Sequence, residues 1–398
     1  MNALDAAARL ISSGDELPIT HFERCLHQFS VEADCDACLQ VCPTEAITKG
    51  DTLVFKRASC AQCLACVPAC PTGVFTKKSQ LAALLRCGAY SPTAKIELLC
   101  EFHPSPSGGQ SGTPAVSVRG CLAGLGAGVY LCLLEAGLSQ ISLRCEQCST
   151  CSLSALQTVI EKTVNNTLEL LDVEDKTSIA IQRQQPESRQ GELGPLWNAD
   201  NPPISRRELF KLTTHSRTLL AIEAVGEQVE KSGKTVCENR LRFNAGLQRL
   251  YTAQRVRPDV ALDIFGYATV ALSDDCSACA ACARICPTGA LAFLERDDLF
   301  RLTFKPELCI ACGLCSKVCF LNAIELESNF TAGQFAENPT AITLLEGQRR
   351  KCYRCGGWFN ATGDAELCPV CTFRSKNPFS SKLPPGINLS PPGGEMQS

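Results

Sequence analysis

The chain has 398 residues, 28 of them cysteine, with 38 basic and 41 acidic side chains and a formal net charge of −3. That length corresponds to roughly two to four domains, and the absence of a basic surplus argues against nucleic acid as a partner. The longest apolar stretch, Cys121 to Leu138, carries Glu135 and four glycines. It is marginal for a bilayer and reads better as a buried helix, so no direct membrane span is predicted.

Such cysteine density means disulfides or metal. The opening MNALDAAARLISSGDEL has neither a basic leader nor a continuous apolar core. A reducing, cytoplasmic setting with metal-bound thiols is therefore expected.

Residues 1–24 read as a short amphipathic helix and loop, with Ala3, Ala6, Ala7, Leu10 and Ile11 on one face. A cysteine module over 25–80 follows: Cys25, then CDACLQVCP (Cys35, Cys38, Cys42), then CAQCLACVPACP (Cys60, Cys63, Cys66, Cys70). In a C-x2-C-x2-C-x3-C run, three thiolates from one tight turn meet one corner of a [4Fe-4S] cube, and the fourth reaches the other cluster. By this crossed rule Cys60, Cys63 and Cys66 with Cys42 hold one cluster. The first run has Glu32 where its leading cysteine belongs, and a carboxylate is a poor iron–sulfur ligand. Cys25, on a loop long enough to fold back, is the expected substitute, giving a second set of Cys25, Cys35, Cys38 and Cys70. A three-iron or labile cluster is the alternative.

Over 81–183 the pattern changes. KIELLC (95–100), AVSVRGC (115–121), QISLRC (140–145) and TSIAIQ (177–182) are strand candidates, and Leu122 to Leu138 and Leu153 to Leu171 are helix candidates. This order predicts a small α/β domain with a parallel sheet. Ligands of open α/β sheets collect outside the carboxyl ends of strands, so Cys100, Cys121 and Cys145 are expected at one rim, with Cys148 and Cys151 on the following loop. An additional iron–sulfur cluster using Cys100, Cys121, Cys145 and one of Cys148 or Cys151 is expected; thiols without metal are the alternative. The layout and cysteine placement resemble the delta subunit of methyl-viologen-reducing hydrogenases, where such a domain passes electrons to heterodisulfide reductase. Gly120, Gly124, Gly126 and Gly128, with Glu146, evoke a dinucleotide loop, but Val129 stands where its third glycine belongs. Glycines that let a helix pack close to a sheet are the plainer reading.

Residues 184–204 are polar and rich in proline and glycine, and read as a linker. SRRELFK (205–211) looks like a twin-arginine motif, but its mid-chain position favours Ser205 as the N-cap of a helix within a helical segment over 205–262. Cys87, Cys132 and Cys237 read as small buried hydrophobes, and none of the four histidines as catalytic.

Over 263–345, CSACAACARICP and CIACGLCSKVC make two complete runs. Crossed pairing assigns Cys276, Cys279, Cys282 and Cys319 to one [4Fe-4S] cluster and Cys309, Cys312, Cys315 and Cys286 to another. The pair of runs resembles a bacterial dicluster ferredoxin module, with Pro287 where proline is expected and Phe320 in place of the second. Over 348–375, the knuckles of Cys352, Cys355, Cys368 and Cys371 place four thiolates about one metal. They resemble the rubredoxin-like tail of rubrerythrins, which implies iron, while zinc ribbons use the same geometry. Residues 376–398 read as a disordered tail.

The expected fold is multidomain α+β: two ferredoxin-like dicluster modules flanking a small α/β parallel-sheet domain, with a C-terminal rubredoxin-like or zinc-ribbon knuckle. Four [4Fe-4S] clusters, a possible further cluster and one Fe or Zn make an electron wire with no visible substrate site. The expected partners are redox proteins, above all a catalytic oxidoreductase subunit of hydrogenase, formate dehydrogenase or heterodisulfide-reductase type. A redox sensor or cofactor-maturation factor, and a thiol/disulfide enzyme acting at the rim, are the alternatives.

Overall fold

The structure, a computed structural model, describes residues 17–172, 178–184, 192–203, 234–337, 341–360 and 364–378. The helix expected within residues 1–16, the SRRELFK segment with its Ser205 cap and the tail over 379–398 lie outside them. The chain divides into two compact units, one of residues 1–28 and 35–260, the other of 29–34 and 261–398. Among the described residues no helix is long and apolar enough to cross a membrane.

The first unit opens with β1 (Ile19–Thr20), α1 (Leu26–Phe29), α2 (Ala37–Gln40), β2 (Ile47–Lys49), β3 (Leu53–Phe55), α3 (Cys66–Ala69) and β4 (Phe75–Thr76). β1 pairs antiparallel with β4, and β2 and β3 form a hairpin. Elements this short have no stability of their own. Their small core is built largely on cysteine: Cys25, Cys38, Cys66 and Cys70 are buried with Ile47, Val74 and Phe75.

Next come α4 (Leu81–Ala89), β5 (Lys95–Cys100), β6 (Ala115–Val118), α5 (Ala127–Glu135), β7 (Gln140–Arg144), α6 (Gln157–Leu170), β8 (Ser178–Gln182), β9 (Leu196–Asn198) and α7 (Glu238–Thr252). The five strands form one sheet in the order β8-β7-β5-β6-β9, with every pair parallel. Ile96, Leu98, Leu99, Val116, Val118, Ile141 and Leu143 are buried, the near-continuous apolar runs of a sheet covered on both faces. Two expectations change here. The stretch read as a linker contains β9, which pairs with β6 from Ala115↔Leu196 to Ser117↔Asn198. The helix expected from Leu122 to Leu138 is a 3-10 turn (Leu122–Gly124) followed by α5, broken at Gly126 with φ 51°.

Every residue of α5 from Ala127 to Leu134 is buried, so it needs cover beyond the sheet. α7, the described part of the segment read as separately helical, supplies it. A Cβ on Gly246 of α7 would lie 2.7 Å from Leu131 Cβ, and one on Gly128 of α5 would lie 2.5 Å from the Asn239 carbonyl oxygen. The two helices therefore touch backbone to backbone.

The second unit contains β10 (Thr269–Leu272), α8 (Ala281–Ile285), β11 (Leu291–Arg296), β12 (Leu299–Phe304), α9 (Leu314–Lys317), β13 (Ile324–Glu327), α10 (Ala332–Glu337), β14 (Ile342–Lys351), β15 (Trp358–Asn360) and α11 (Pro369–Lys376). β10 pairs antiparallel with β13, and β11 with β12. The pairing of the outer strands around a central hairpin over β10–β13 repeats that over β1–β4, with two short helices, α1 and α2, where the second unit has α8 alone. β14 is one continuous strand that pairs with β12 at its start and β15 at its end. The boundary expected between 345 and 348 thus falls inside a strand, and the knuckle shares its sheet with the hairpin of the preceding module.

Candidate metal centres

All 28 cysteines are free thiols within the described residues. In the second unit, one apolar hollow is lined by Cys276, Cys279, Cys282 and Cys319 together with Leu272, Phe293, Leu302 and Ile324. Another is lined by Cys286, Cys309, Cys312 and Cys315 with Val270, Leu291 and Phe304. Each hollow gathers three cysteines of one run and the last of the other, the crossed arrangement expected from the spacing.

The loops are shaped by backbone that side chains rarely adopt. Two and four residues after the leading cysteine, φ is positive: 54° and 62° at Ala278 and Ala280, 51° and 73° at Ala311 and Gly313. Left-handed backbone costs a non-glycine residue about 1–2 kcal/mol, and it turns successive N–H groups into one concavity suited to negative charge. The Ala311 N–H accordingly donates to Cys309 Sγ at 3.5 Å, and the Ala323 N–H to Cys319 Sγ at 3.3 Å. Burial, then the neighbouring thiols Cys276 and Cys279, push Cys282 up to about 12. Burial, then Cys309, Cys312 and Cys286, do the same to Cys315. Thiols that oppose one another's ionisation release their protons only to cations, and soft sulfur in sets of four suits iron–sulfur clusters.

The first unit repeats these features. Gln62 and Leu64, two and four residues after Cys60, have φ of 55° and 62°. The Gln62 N–H donates to Cys60 Sγ at 3.4 Å, and the Val74 N–H to Cys70 Sγ at 3.2 Å. Burial, then Cys63, Cys60 and Cys42, push the Cys66 thiol up. Burial, then Cys70, Cys35 and Cys25, push Cys38 up to about 12. Cys42, Cys60 and Cys63 thus lie near Cys66, and Cys25, Cys35 and Cys70 near Cys38. Cys25 is buried, whereas Glu32 is exposed. The left-handed pair is missing before Cys38, where Asp36 has φ −129°, because the chain reaches Cys35 from a distant cysteine and not from a tight turn.

The carboxyl ends of β5, β6 and β7 bring Cys100, Cys121 and Cys145 together, with Cys148 and Cys151 on the 3-10 turn after β7. Burial raises Cys100 and Cys121 and the Cys148 charge adds to it, while a hydrogen bond between Cys145 and Cys148 raises Cys145 and lowers Cys148, so Cys148 bears on all three. Cys151 also raises Cys100. Between the two candidates for a fourth member, the arrangement favours Cys148.

Sequence reasoning passed over the polar group behind this rim. His103 and Glu146 are buried, and His103 Nε2 lies 3.3 Å from Glu146 Oε1. The same oxygen accepts from Arg144 Nε and Nη2 at 3.1 and 3.0 Å. Because His103 Nδ1 accepts the Ser105 N–H at 3.3 Å, the ring proton sits on Nε2 and is donated to Glu146. Glu146 thus anchors the Cys145–Cys148 loop, and a histidine three residues beyond Cys100 was the available signal. The glycines before α5 do not form a nucleotide loop: Cβ atoms on Gly120 and Gly124 would press on Cys63 and Leu64.

In the knuckle, the sulfurs of Cys352, Cys355, Cys368 and Cys371 all lie within 4.8 Å of one another. The turn after β14 closes through the Gly356 N–H on the Cys352 carbonyl at 2.8 Å, and Pro369 starts α11 so that Cys371 falls in its first turn. Burial opposes charge on Cys352, but the N–H groups of Cys368, Cys355 and Arg354 outweigh it and draw the thiol down to about 6. Four convergent sulfurs around one point fit tetrahedral zinc or iron.

The 4Fe-4S dicluster domain family matches residues 275–323, the segment that carries all eight cysteines of the two hollows. The chain therefore carries an iron–sulfur dicluster domain, which points to electron transfer. No curated protein matches the chain.

Proposed function

We propose that this protein is the electron-wire subunit of a larger oxidoreductase complex, cytoplasmic, with its catalytic cofactor on a partner subunit of hydrogenase, formate dehydrogenase or heterodisulfide-reductase type. The observation that carries the reading is the repetition, in the first unit, of the dicluster geometry matched in the second: the same strand order, left-handed loop residues and amide-to-sulfur bonds. Cys25, Cys35, Cys38 and Cys70, and Cys42, Cys60, Cys63 and Cys66, would each hold a [4Fe-4S] cluster, as would the two sets of the second unit. Cys100, Cys121, Cys145 and Cys148 would hold a further iron–sulfur cluster, and the knuckle one iron or zinc. Amides aimed at the sulfurs would stabilise the added negative charge of reduction, the apolar hollows would oppose it, and the balance between the two would shape the potential.

A second reading, thiol–disulfide chemistry at the rim, is favoured by the Cys145–Cys148 hydrogen bond, which leaves Cys148 the more easily ionised of the two. Iron, zinc and sulfide per chain on anaerobically purified protein, with EPR after reduction, test both. About eighteen to twenty or more irons support the wire with a loaded rim; about sixteen, with a rim that alkylates freely, favour thiol chemistry. Fewer than about twelve would remove the first-unit clusters from the account.

A further inference from the structure

The rim and the first cysteine module meet at one place within the first unit. The Cys121 N–H donates to the Cys63 carbonyl at 3.1 Å, joining a rim cysteine to a cysteine of the Cys42, Cys60, Cys63 and Cys66 set by a single hydrogen bond between backbones. The loop after β6 is latched around that bond. The Arg119 N–H donates to Gln80 Oε1 at 2.7 Å, and the Gly120 N–H to Glu101 Oε1 at 2.6 Å. No side chain fits between the two loops. A Cβ on Gly120 would lie 3.0 Å from the Cys63 oxygen, and one on Gly124 would lie 3.1 Å from Leu64 Cβ and 3.3 Å from that oxygen. Cys63, Leu64 and Cys121 are buried, so water does not separate them.

Electron transfer slows steeply with the gap between centres, and a short covalent path closed by one hydrogen bond is a favourable route. We propose that this contact is the passage between the module and the rim, and that Gly120 and Gly124 are positioning residues that hold the two loops at transfer distance. An electron given up at the Cys42, Cys60, Cys63 and Cys66 site is taken up at the rim, one for one, with no bond made or broken. The assignment orders the wire: of the two sets in the first module, the one containing Cys63 is next to the rim. It rests on the reading of both thiol sets as cluster ligands, and the test separates the two.

Gly124 has no positive φ, so its replacement acts through contact alone, whereas Gly120 with φ 70° would also be strained. The experiment compares wild-type holoprotein, Gly124→Val, Gly124→Ala and, as a control with nothing within 4 Å of its added Cβ, Gly50→Ala. Iron and sulfide per chain are measured first, then the EPR spectrum of the dithionite-reduced protein for splitting and fast relaxation between neighbouring spins. The expected result is a split rim signal in the wild type and in Gly50→Ala, with the splitting reduced at least about two-fold in Gly124→Val at unchanged iron content. If Gly124→Val loses iron, Gly124→Ala carries the comparison and should show a smaller reduction in the same direction. Iron at the rim with no splitting in the wild type, or splitting that both Gly124 variants preserve, overturns the passage. A rim without iron overturns the underlying reading instead, and is recognised from the metal count before any spectrum is taken.

Discussion

Cys25 and Cys60 close two 3-10 turns in the same way. The Cys25 N–H donates to the Phe22 carbonyl at 3.0 Å and the Cys60 N–H to the Arg57 carbonyl at 3.2 Å. Their backbones agree, with φ, ψ of −68°, 135° and −75°, 120°. Cys309 repeats both features after Pro306–Leu308. Cys25 therefore has the backbone setting of Cys60 and Cys309, the first cysteines of complete runs, although it is ten residues from Cys35. Cys25→Ser is expected to lower the iron count by about one to four per chain, with a three-iron EPR signal if only one iron leaves. Glu32→Gln should change neither. Retention of full iron in Cys25→Ser would remove this residue from the ligand set.

At the rim, Cys148 bears on all three strand-end thiols, and Cys151 bears on Cys100. Cys148→Ser should abolish the rim cluster's EPR signal and lower the iron count, while Cys151→Ser should leave both near the wild-type level. The opposite pattern would make Cys151 the ligand.

Gly246→Ala opposes two effects of known size. Alanine gains about 1 kcal/mol over glycine in helix propensity, but a Cβ here would lie 2.7 Å from Leu131 Cβ and 3.1 Å from its carbonyl carbon. Overpacking against a fixed backbone costs about 1–3 kcal/mol, so the substitution should lower the melting temperature followed by circular dichroism. Leu131 is fully buried, and Leu131→Ala should cost more, about 2–5 kcal/mol. A rise in melting temperature for Gly246→Ala would mean that α5 and α7 do not touch in this way.

Glu97 lies in β5, buried, with Oε1 accepting the Gln110 N–H at 2.9 Å. Burial raises its pKa above the ordinary 4.5, against the opposing pull of that amide and Arg144. The folded state thus holds this proton more tightly than the unfolded state. Its contribution to stability is full below pH 4.5 and is lost as pH rises through the folded value. Glu97→Gln removes the loss, so its melting temperature relative to wild type should improve from pH 5 to pH 8. A difference that does not vary with pH would show that Glu97 ionises as freely as an exposed carboxylate.

Much of the chemistry was legible in the residue order because cluster ligation is local. A C-x2-C-x2-C-x3-C run brings its own three thiols together whatever surrounds it, so the hollows of the second unit and the crossed sets follow from spacing. The same holds for the apolar runs of β5 to β8, where helices between β6 and β7 and between β7 and β8 announce a parallel sheet. Three-residue β9 carried no such pattern, since Leu196, Trp197 and Asn198 become a strand only by pairing with β6. Nor could order alone show that α7 covers α5, that Cys25 caps a turn equivalent to that of Cys60, or that Gly124 makes room for Leu64. These are contacts between segments far apart in sequence, decided by which surfaces fit once the chain has packed. The candidate thiols were thus set by the sequence, while the neighbours of each thiol set were decided by the tertiary structure.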